Sequence, residues 1–364
     1  MNITFVNRMM GIKIGGGESF DLNLARALKK RGHRIEFVVG VAEDKEIFLE
    51  KEFKTVKIKT PYLRNLHYKF PPTNPLFKFI SVSASMIDGT WFENKAFGYL
   101  KNGKSDIYQL CGLSELGERL EKAGRVSSIF WPGPPSFRRA NSIRACSLHF
   151  AQGDTLKRLK MMVDEVYEIN PGIDKEIFYP PENRKDREKV KFVFVGRLVP
   201  VKNIPFLIRS FKRALKEFKK MELLIVGEGE SEKELKNISG DNENIKFLGF
   251  KNEKELSRIY RDSDVFCIVS DYESFSIVTL EAMASSLPVI ASNSGYLPNL
   301  VRGCGVIVES GDEEGLKSAL LKLAKDRDLR ERLGRAGYEK VSKNFDWDES
   351  AKKVEKLYEE VLGL

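Results

Sequence analysis

Short apolar runs alternate with longer amphipathic stretches along almost the whole chain, and this alternation restricts the fold more than any single motif. In the first half the runs read as strands at Ile3–Val6, Ile35–Val39, Ile107–Leu110, Ser128–Trp131, Leu148–Ala151 and Val166–Ile169. In the second half they fall at Phe192–Val195, Leu223–Val226, Ile245–Leu248, Val265–Val269, Val289–Ala291 and Val306–Val308. Stretches such as Phe206–Phe218 and Leu316–Ala324 carry helical periodicity between them. Strands and helices in alternation predict an α/β architecture of parallel sheets covered by helices.

The 364 residues exceed one typical domain and suit two, and an apolar fraction of 42% lets each half bury a core. The stretch Pro180-Pro181-Glu182-Asn183-Arg184-Lys185-Asp186-Arg187 is polar and charged and opens on two prolines, as a linker does. The reading is therefore two doubly wound domains over residues 1–181 and 188–345, followed by a helix over 346–364. That helix sets Ala351, Val354, Leu357, Tyr358 and Val361 on one face, and either caps its own domain or crosses to the other. Ligands of such sheets sit beyond the carboxyl ends of the strands at the switch point, so two of them facing each other place a site in the cleft between. The segment Lys51–Lys104 is less regular and mixes cations with aromatics, as in Tyr68-Lys69-Phe70 and Phe77-Lys78-Phe79.

The chain shows no basic leader before its first strand and no apolar run of the roughly 18 residues a membrane span requires. A cytoplasmic protein is expected. Cys111, Cys146, Cys267 and Cys304 are widely spaced and form neither a zinc nor a redox motif. The net charge of +9 suits an anionic partner such as a nucleotide phosphate, nucleic acid or membrane surface, or is simply a solvated lysine-rich exterior. No recognisable nucleic-acid module accompanies it.

Three constellations carry chemistry. Gly15-Gly16-Gly17-Glu18 lies between the first strand and the helix Ser19–Lys30. Glycine admits close backbone approach, and the helix N-terminus favours an anion, although a plain turn has the same composition. Next, Val195-Gly196-Arg197-Leu198 with Lys202 sets two cations at the carboxyl end of a strand, where Arg197 and Lys202 are suited to phosphate oxygens or are a pair of surface cations. Third, Asp271 to Ala284 places Glu273 in a turn and Glu281 on the helix that begins near Ser276. The first amides of that helix suit a diphosphate, Glu281 suits vicinal hydroxyls and Glu273 suits a sugar; Glu281 as an ordinary surface glutamate is the alternative. Gly227-Glu228-Gly229 lacks the third glycine of a dinucleotide turn, with Glu232 in its place, and Asp262-Ser263-Asp264 precedes its strand, so neither is taken as a ligand site and no metal is expected. His33, His67 and His149 read as structural.

The ordered series resembles the retaining glycosyltransferases of family 4, which have the GT-B fold of two Rossmann-like domains facing a central cleft. Its carriers are Gly15 to Glu18, Asn170-Pro171-Gly172-Ile173-Asp174 with Phe178 and Pro180, Val195 to Leu198 with Lys202, Val226 to Gly229, Phe247-Leu248-Gly249, Glu273 to Ala284, Leu287 to Ala291 and Gly305 to Val308. The resemblance implies transfer of a hexose from a UDP- or GDP-sugar to a lipid, glycan or small-molecule hydroxyl, with retained configuration, no cofactor and no metal. It gives the diphosphate to Arg197 and Lys202 and the ribose to Glu281. The sugar and phosphate fall to Glu273 with the backbone of Ser274, Phe275, Ser276 and Ile277. The base falls to Gly249, Phe250 and Lys251, and closure over the donor phosphates or acceptor placement to Gly16 and Gly17. Catalytic weight rests on Arg197, Lys202 and Glu273. Departures are Trp131 where relatives carry histidine, Ser286 for a glycine, Tyr296 after Gly295 for a second glycine, and Asn299 for an acid. An epimerase or phosphorylase of the same fold, and a hydrolase using Glu273 and Glu281 as its carboxylate pair, are the alternatives. The lysine- and aromatic-rich stretch of the first half suggests peripheral contact with an anionic membrane or lipid acceptor, with ordinary domain surface as the other reading.

Overall fold

The computed structural model describes residues 1–12, 15–43, 46–61, 63, 75–182 and 187–364, with side chains described from residue 83 onward in the helix Pro75–Leu100. The sequence features at Tyr68-Lys69-Phe70, the side chains of Phe77-Lys78-Phe79, His67 and Asn183 to Asp186 lie outside the described residues.

The chain divides into two compact units, Met1–Gly172 with Trp347–Leu364, and Ile173–Asp346. The first contains a seven-stranded sheet of order β3-β2-β1-β4-β5-β6-β7. Its strands are β1 (Asn2–Asn7), β2 (Arg34–Val41), β3 (Lys54–Lys59), β4 (Ile107–Cys111), β5 (Ser127–Phe130), β6 (Leu148–Ala151) and β7 (Tyr167–Glu168). Every pairing is parallel. Alternate residues feed opposite faces, as strand geometry requires. Phe5, Phe37, Phe130 and Phe150 enter one core with the helix Gly16–Lys30, while Val6, Val38, Leu110, Ile129 and Ala151 enter another with the helix Pro75–Leu100.

The second unit is a six-stranded parallel sheet of order β10-β9-β8-β11-β12-β13. Its strands are β8 (Val190–Val195), β9 (Met221–Val226), β10 (Ile245–Gly249), β11 (Val265–Ile268), β12 (Val289–Ser292) and β13 (Gly305–Val308). The inner strands are apolar and buried almost without interruption, because helices cover both faces. Chain order reverses between β1 and β4 in the first sheet and between β8 and β11 in the second, so each has one switch point.

Two expectations need correction, and the place of the last helix, which the sequence leaves open, is decided. The segment Lys51–Lys104 is not irregular throughout: it contains β3 and the helix Pro75–Leu100. Among the described residues strand β3 pairs only with β2, and its Lys-Thr-Val-Lys-Ile-Lys carries polar residues between its apolar ones, as an edge strand can without forming a continuous apolar run. The boundary falls after Gly172 rather than in the charged stretch, since Ile173 and Phe178 are buried in the second core. The second unit also ends at Asp346, whose carboxylate takes Lys175 Nζ at 2.8 Å, and the helix Trp347–Leu362 belongs to the first. There Trp347 meets Phe20 edge-on at 5.5 Å, and Tyr358 donates to Gln109 Oε1 on β4 at 2.6 Å.

Candidate functional site

The second sheet's switch point gathers the sequence-selected residues. Strand β8 ends at Val195 and leads to Gly196, whose φ of 159° carries the chain outward. Arg197 follows, exposed, while Leu198 beside it is fully buried and anchors the loop. The turn Pro200–Lys202 closes on Asn203, held left-handed at φ 46°, before the helix Ile204–Glu217 begins. Across the switch point, β11 runs out through Ser270 to Glu273 and into the helix Ile277–Ala284. The two loops are tied together: Asp271 N donates to Val201 O at 2.9 Å, and Asn203 Nδ2 to Asp271 Oδ1 at 2.7 Å.

Lys202 Nζ donates to Glu273 Oε1, an oxygen that also accepts from Ser270 Oγ at 2.8 Å. Glu281 is half-buried, and its Oε2 accepts from the fully buried Tyr260 hydroxyl at 3.0 Å. Burial pushes the Glu281 carboxyl up to about 7, against the Tyr260 hydrogen bond and with help from Glu253. Ser276 is buried, its Oγ accepting from Thr279 Oγ1 at 2.8 Å. The Phe275 ring stacks on Tyr296 at 5.4 Å and meets Phe345 at 6.1 Å, so it anchors the turn. The first-turn amides of Ile277–Ala284 stand at the same end of the sheet, and a helix leaves such amides without intrahelical acceptors.

Gly249, Phe250 and Lys251 lie at the carboxyl end of β10, two strands from β8. Gly249 is left-handed at φ 66° and its carbonyl accepts from Gly227 N at 2.9 Å. Phe250 is 70% exposed, and its amide approaches Glu228 Oε1 at 3.4 Å. Lys251 pairs with Glu255 at 3.7 Å. The pair Gly227 and Gly229 has a packing role: a Cβ on Gly227 would lie 2.0 Å from Gly196 O, and one on Gly229 2.2 Å from Leu198 O. Asp262 and Asp264 stand at the opposite end of the sheet, paired with Arg187 and Lys191. Among the described residues no group of three or more His, Cys, Asp or Glu side chains is gathered as a metal site requires.

The family model for glycosyl transferases group 1 matches residues 175–340. A glycosyltransferase of Methanocaldococcus jannaschii, itself uncharacterised, is 32% identical over 363 residues, covering 96% of this chain and 95% of its own. The chain belongs to the group 1 glycosyltransferases. It spans about half the length of other curated relatives that it matches, 48%, 51% and 46% in three cases. A sucrose-phosphate synthase structure from Thermosynechococcus elongatus superimposes with a TM-score of 0.82 at 17% identity, over 100% of this chain and 99% of that one. The Anabaena HepE protein in complex with UDP-glucose gives 0.75 at 18% identity, over 98% of each. These neighbours establish the GT-B fold of two Rossmann-like domains.

In this group 1 glycosyltransferase Gly16 and Gly17 belong to the first unit. Gly16 is exposed with open space where a Cβ would stand, whereas a Cβ on Gly17 would meet Pro132 at 3.0 Å and Cys111 Sγ at 3.2 Å. Beneath them lies a carboxyl that the sequence reading missed. Asp21 is fully buried, accepts Asn7 Nδ2 at 2.8 Å on one oxygen, and leaves Oδ1 without a hydrogen-bond partner. Burial pushes its pKa up to about 8. Trp131, where the family resemblance leads one to expect a histidine, is buried and donates its indole N–H to His149 Nδ1 at 3.3 Å. Burial in turn pushes His149 down to about 4, so the pair is neutral packing. Ser270 and Tyr260 were also missed. Ser270 was legible only as the third residue before Glu273, and Tyr260 reads as an ordinary core aromatic of an amphipathic helix.

Proposed function

We propose that the chain is a retaining, metal-independent hexosyltransferase that moves a hexose from a nucleoside diphosphate sugar to a hydroxyl acceptor. The observation that carries this reading is the convergence of Arg197, Lys202, Glu273, Glu281 and the first turn of Ile277–Ala284 on one switch point. Glu281, as the carboxylate, accepts from the vicinal ribose hydroxyls, and Glu273 accepts from the hexose. As the bond from the anomeric carbon to the phosphate oxygen breaks, negative charge gathers on the diphosphate. Arg197, Lys202 and the helix amides are preorganised to stabilise it, which is how such sites lower a barrier. Gly249, Phe250 and Lys251 line the base end. The UDP-glucose bound by the Anabaena HepE protein supports a nucleotide-sugar donor on this fold.

Calorimetric titration without added metal, using UDP, GDP and ADP against wild type and Glu281→Ala, tests the donor site. One nucleotide is expected to bind, with affinity reduced at least tenfold in the variant, the order lost with a charge-assisted hydrogen bond. Binding of none of the three would defeat the reading. Peripheral membrane contact by the first unit is the companion proposal, supported by Met86, Ile87 and Trp91 exposed on one helix with Lys95 Nζ 5.5 Å from the Trp91 ring centre. Sedimentation with anionic liposomes at low salt is expected to carry the protein down; protein left in the supernatant would end that proposal. Among the described residues no helix is long and apolar enough to cross a membrane.

A further inference from the structure

Lys202 and Glu273 hold each other under close constraint. Their side chains are 15% and 13% exposed, so the ion pair is shielded from most of the solvent that weakens surface pairs. Ser270, fully buried, fixes the same Glu273 oxygen at 2.8 Å and is itself fixed by Ser292 Oγ, 2.6 Å from its carbonyl. The Glu273 backbone is clamped as well. Tyr296 N donates to its carbonyl at 2.8 Å, and Gly295, left-handed at φ 54°, comes so close that a Cβ would stand 2.1 Å from that oxygen. On the other side the Asp271–Val201 and Asn203–Asp271 bonds hold the turn that carries Lys202. An anion that takes Lys202 must therefore compete with a carboxylate that is pinned in place.

We propose that Glu273 is a partner-exchange latch on Lys202, with Ser270 as the residue that positions it. This rests on the donor-site reading above. The hexose hydroxyls of an intact donor donate to Glu273 and so relieve its hold on the ammonium, which turns to the diphosphate. A nucleoside diphosphate that has lost its hexose offers Glu273 no donors and is left competing with it for Lys202. The latch thus lowers affinity for the spent nucleotide relative to the donor, and does so with two side chains that are already in contact.

The test is calorimetric titration of wild type, Glu273→Gln, Lys202→Ala and the double variant with UDP, GDP, UDP-glucose and GDP-mannose. In Glu273→Gln the diphosphate that wild type binds is expected to bind on the order of tenfold tighter, as follows from removing one charged hydrogen bond that competes for the cation. The matching sugar nucleotide is expected to bind no tighter, and the gain is expected to vanish in the double variant. Ser270→Ala leaves both charges in place and is expected to shift the diphosphate the same way by a smaller factor, a readout that survives if Glu273→Gln does not fold. Diphosphate affinity unchanged or weakened in both Glu273→Gln and Ser270→Ala, or a gain that persists without Lys202, overturns the latch and leaves the donor site standing. Wild type that binds none of UDP, GDP and ADP removes the donor site and the latch together.

Discussion

Glu281 carries two opposing demands. To accept from two hydroxyls it must be ionised, yet burial has pushed its carboxyl from 4.5 to about 7. Nucleotide affinity is therefore expected to fall as pH drops through 7, and calorimetry from pH 8 to pH 6 should show that slope in wild type and a flat profile in Glu281→Gln. Stability runs the other way. A group whose folded pKa is raised contributes stability that is present below the unfolded value and lost as pH rises through the folded one, so Glu281→Gln is expected to be more stable than wild type above pH 7. Asp21 obeys the same sign over a wider window, from 3.8 to about 8. Asp21→Asn is expected to gain on wild type by up to about 1.4 kcal/mol for each pH unit crossed in that window, read from urea midpoints. Ser286 is a simpler case. It sits left-handed at φ 58° just past the helix Ile277–Ala284, with Ser286 N on Met283 O and Leu287 N on Ala282 O, a motif that normally ends in glycine. Ser286→Gly is expected to stabilise by about 1 kcal/mol. That departure was visible in the sequence as a missing glycine, but its cost was not, because the left-handed angle belongs to the folded backbone. Asp21 gave no signal at all: its burial depends on Asn7 and Cys111 arriving from two different strands.

At the scale of elements, the inner strands are legible because each carries apolar residues on both faces, and the run Leu148–Ala151 coincides with β6. The edge strand β3 was not, since a polar face breaks the run. The loops that build the site were legible as motifs, while their mutual support was not. The loop after β9 lies backbone against backbone on the loop after β8, and the loop after β12 does the same to the Glu273 turn. These contacts join residues distant in sequence through atoms common to every residue, so no side-chain pattern announces them. Gly227→Ala is expected to destabilise by about 3 kcal/mol and to weaken nucleotide binding by displacing Gly196, as measured by denaturant titration and calorimetry. Gly240→Ala serves as its control. Gly240 has φ 60° and open space around its missing Cβ, so only backbone strain of about 1 kcal/mol is expected, with binding intact.

For the whole molecule, the helix Trp347–Leu362 decides how the first unit holds together. It packs on Phe150 of the sheet and on Phe20 of the neighbouring helix Gly16–Lys30, and Tyr358 supplies the hydroxyl that meets Gln109 and Ser128 between β4 and β5. Arg31 and His33 take Glu355 from outside, at 2.8 Å and 2.7 Å. Ending the chain at Asp346 is expected to abolish amide-exchange protection in β4 and β5, while residues 173–346, with their own core, keep theirs. The same threading sets an order of events on the ribosome. The first unit is begun first, but the segment that closes its core is translated only after the entire second unit. The nascent sheet of the first unit therefore waits with an apolar face uncovered through the synthesis of residues 173–346, and the half made later is the half that matures earlier.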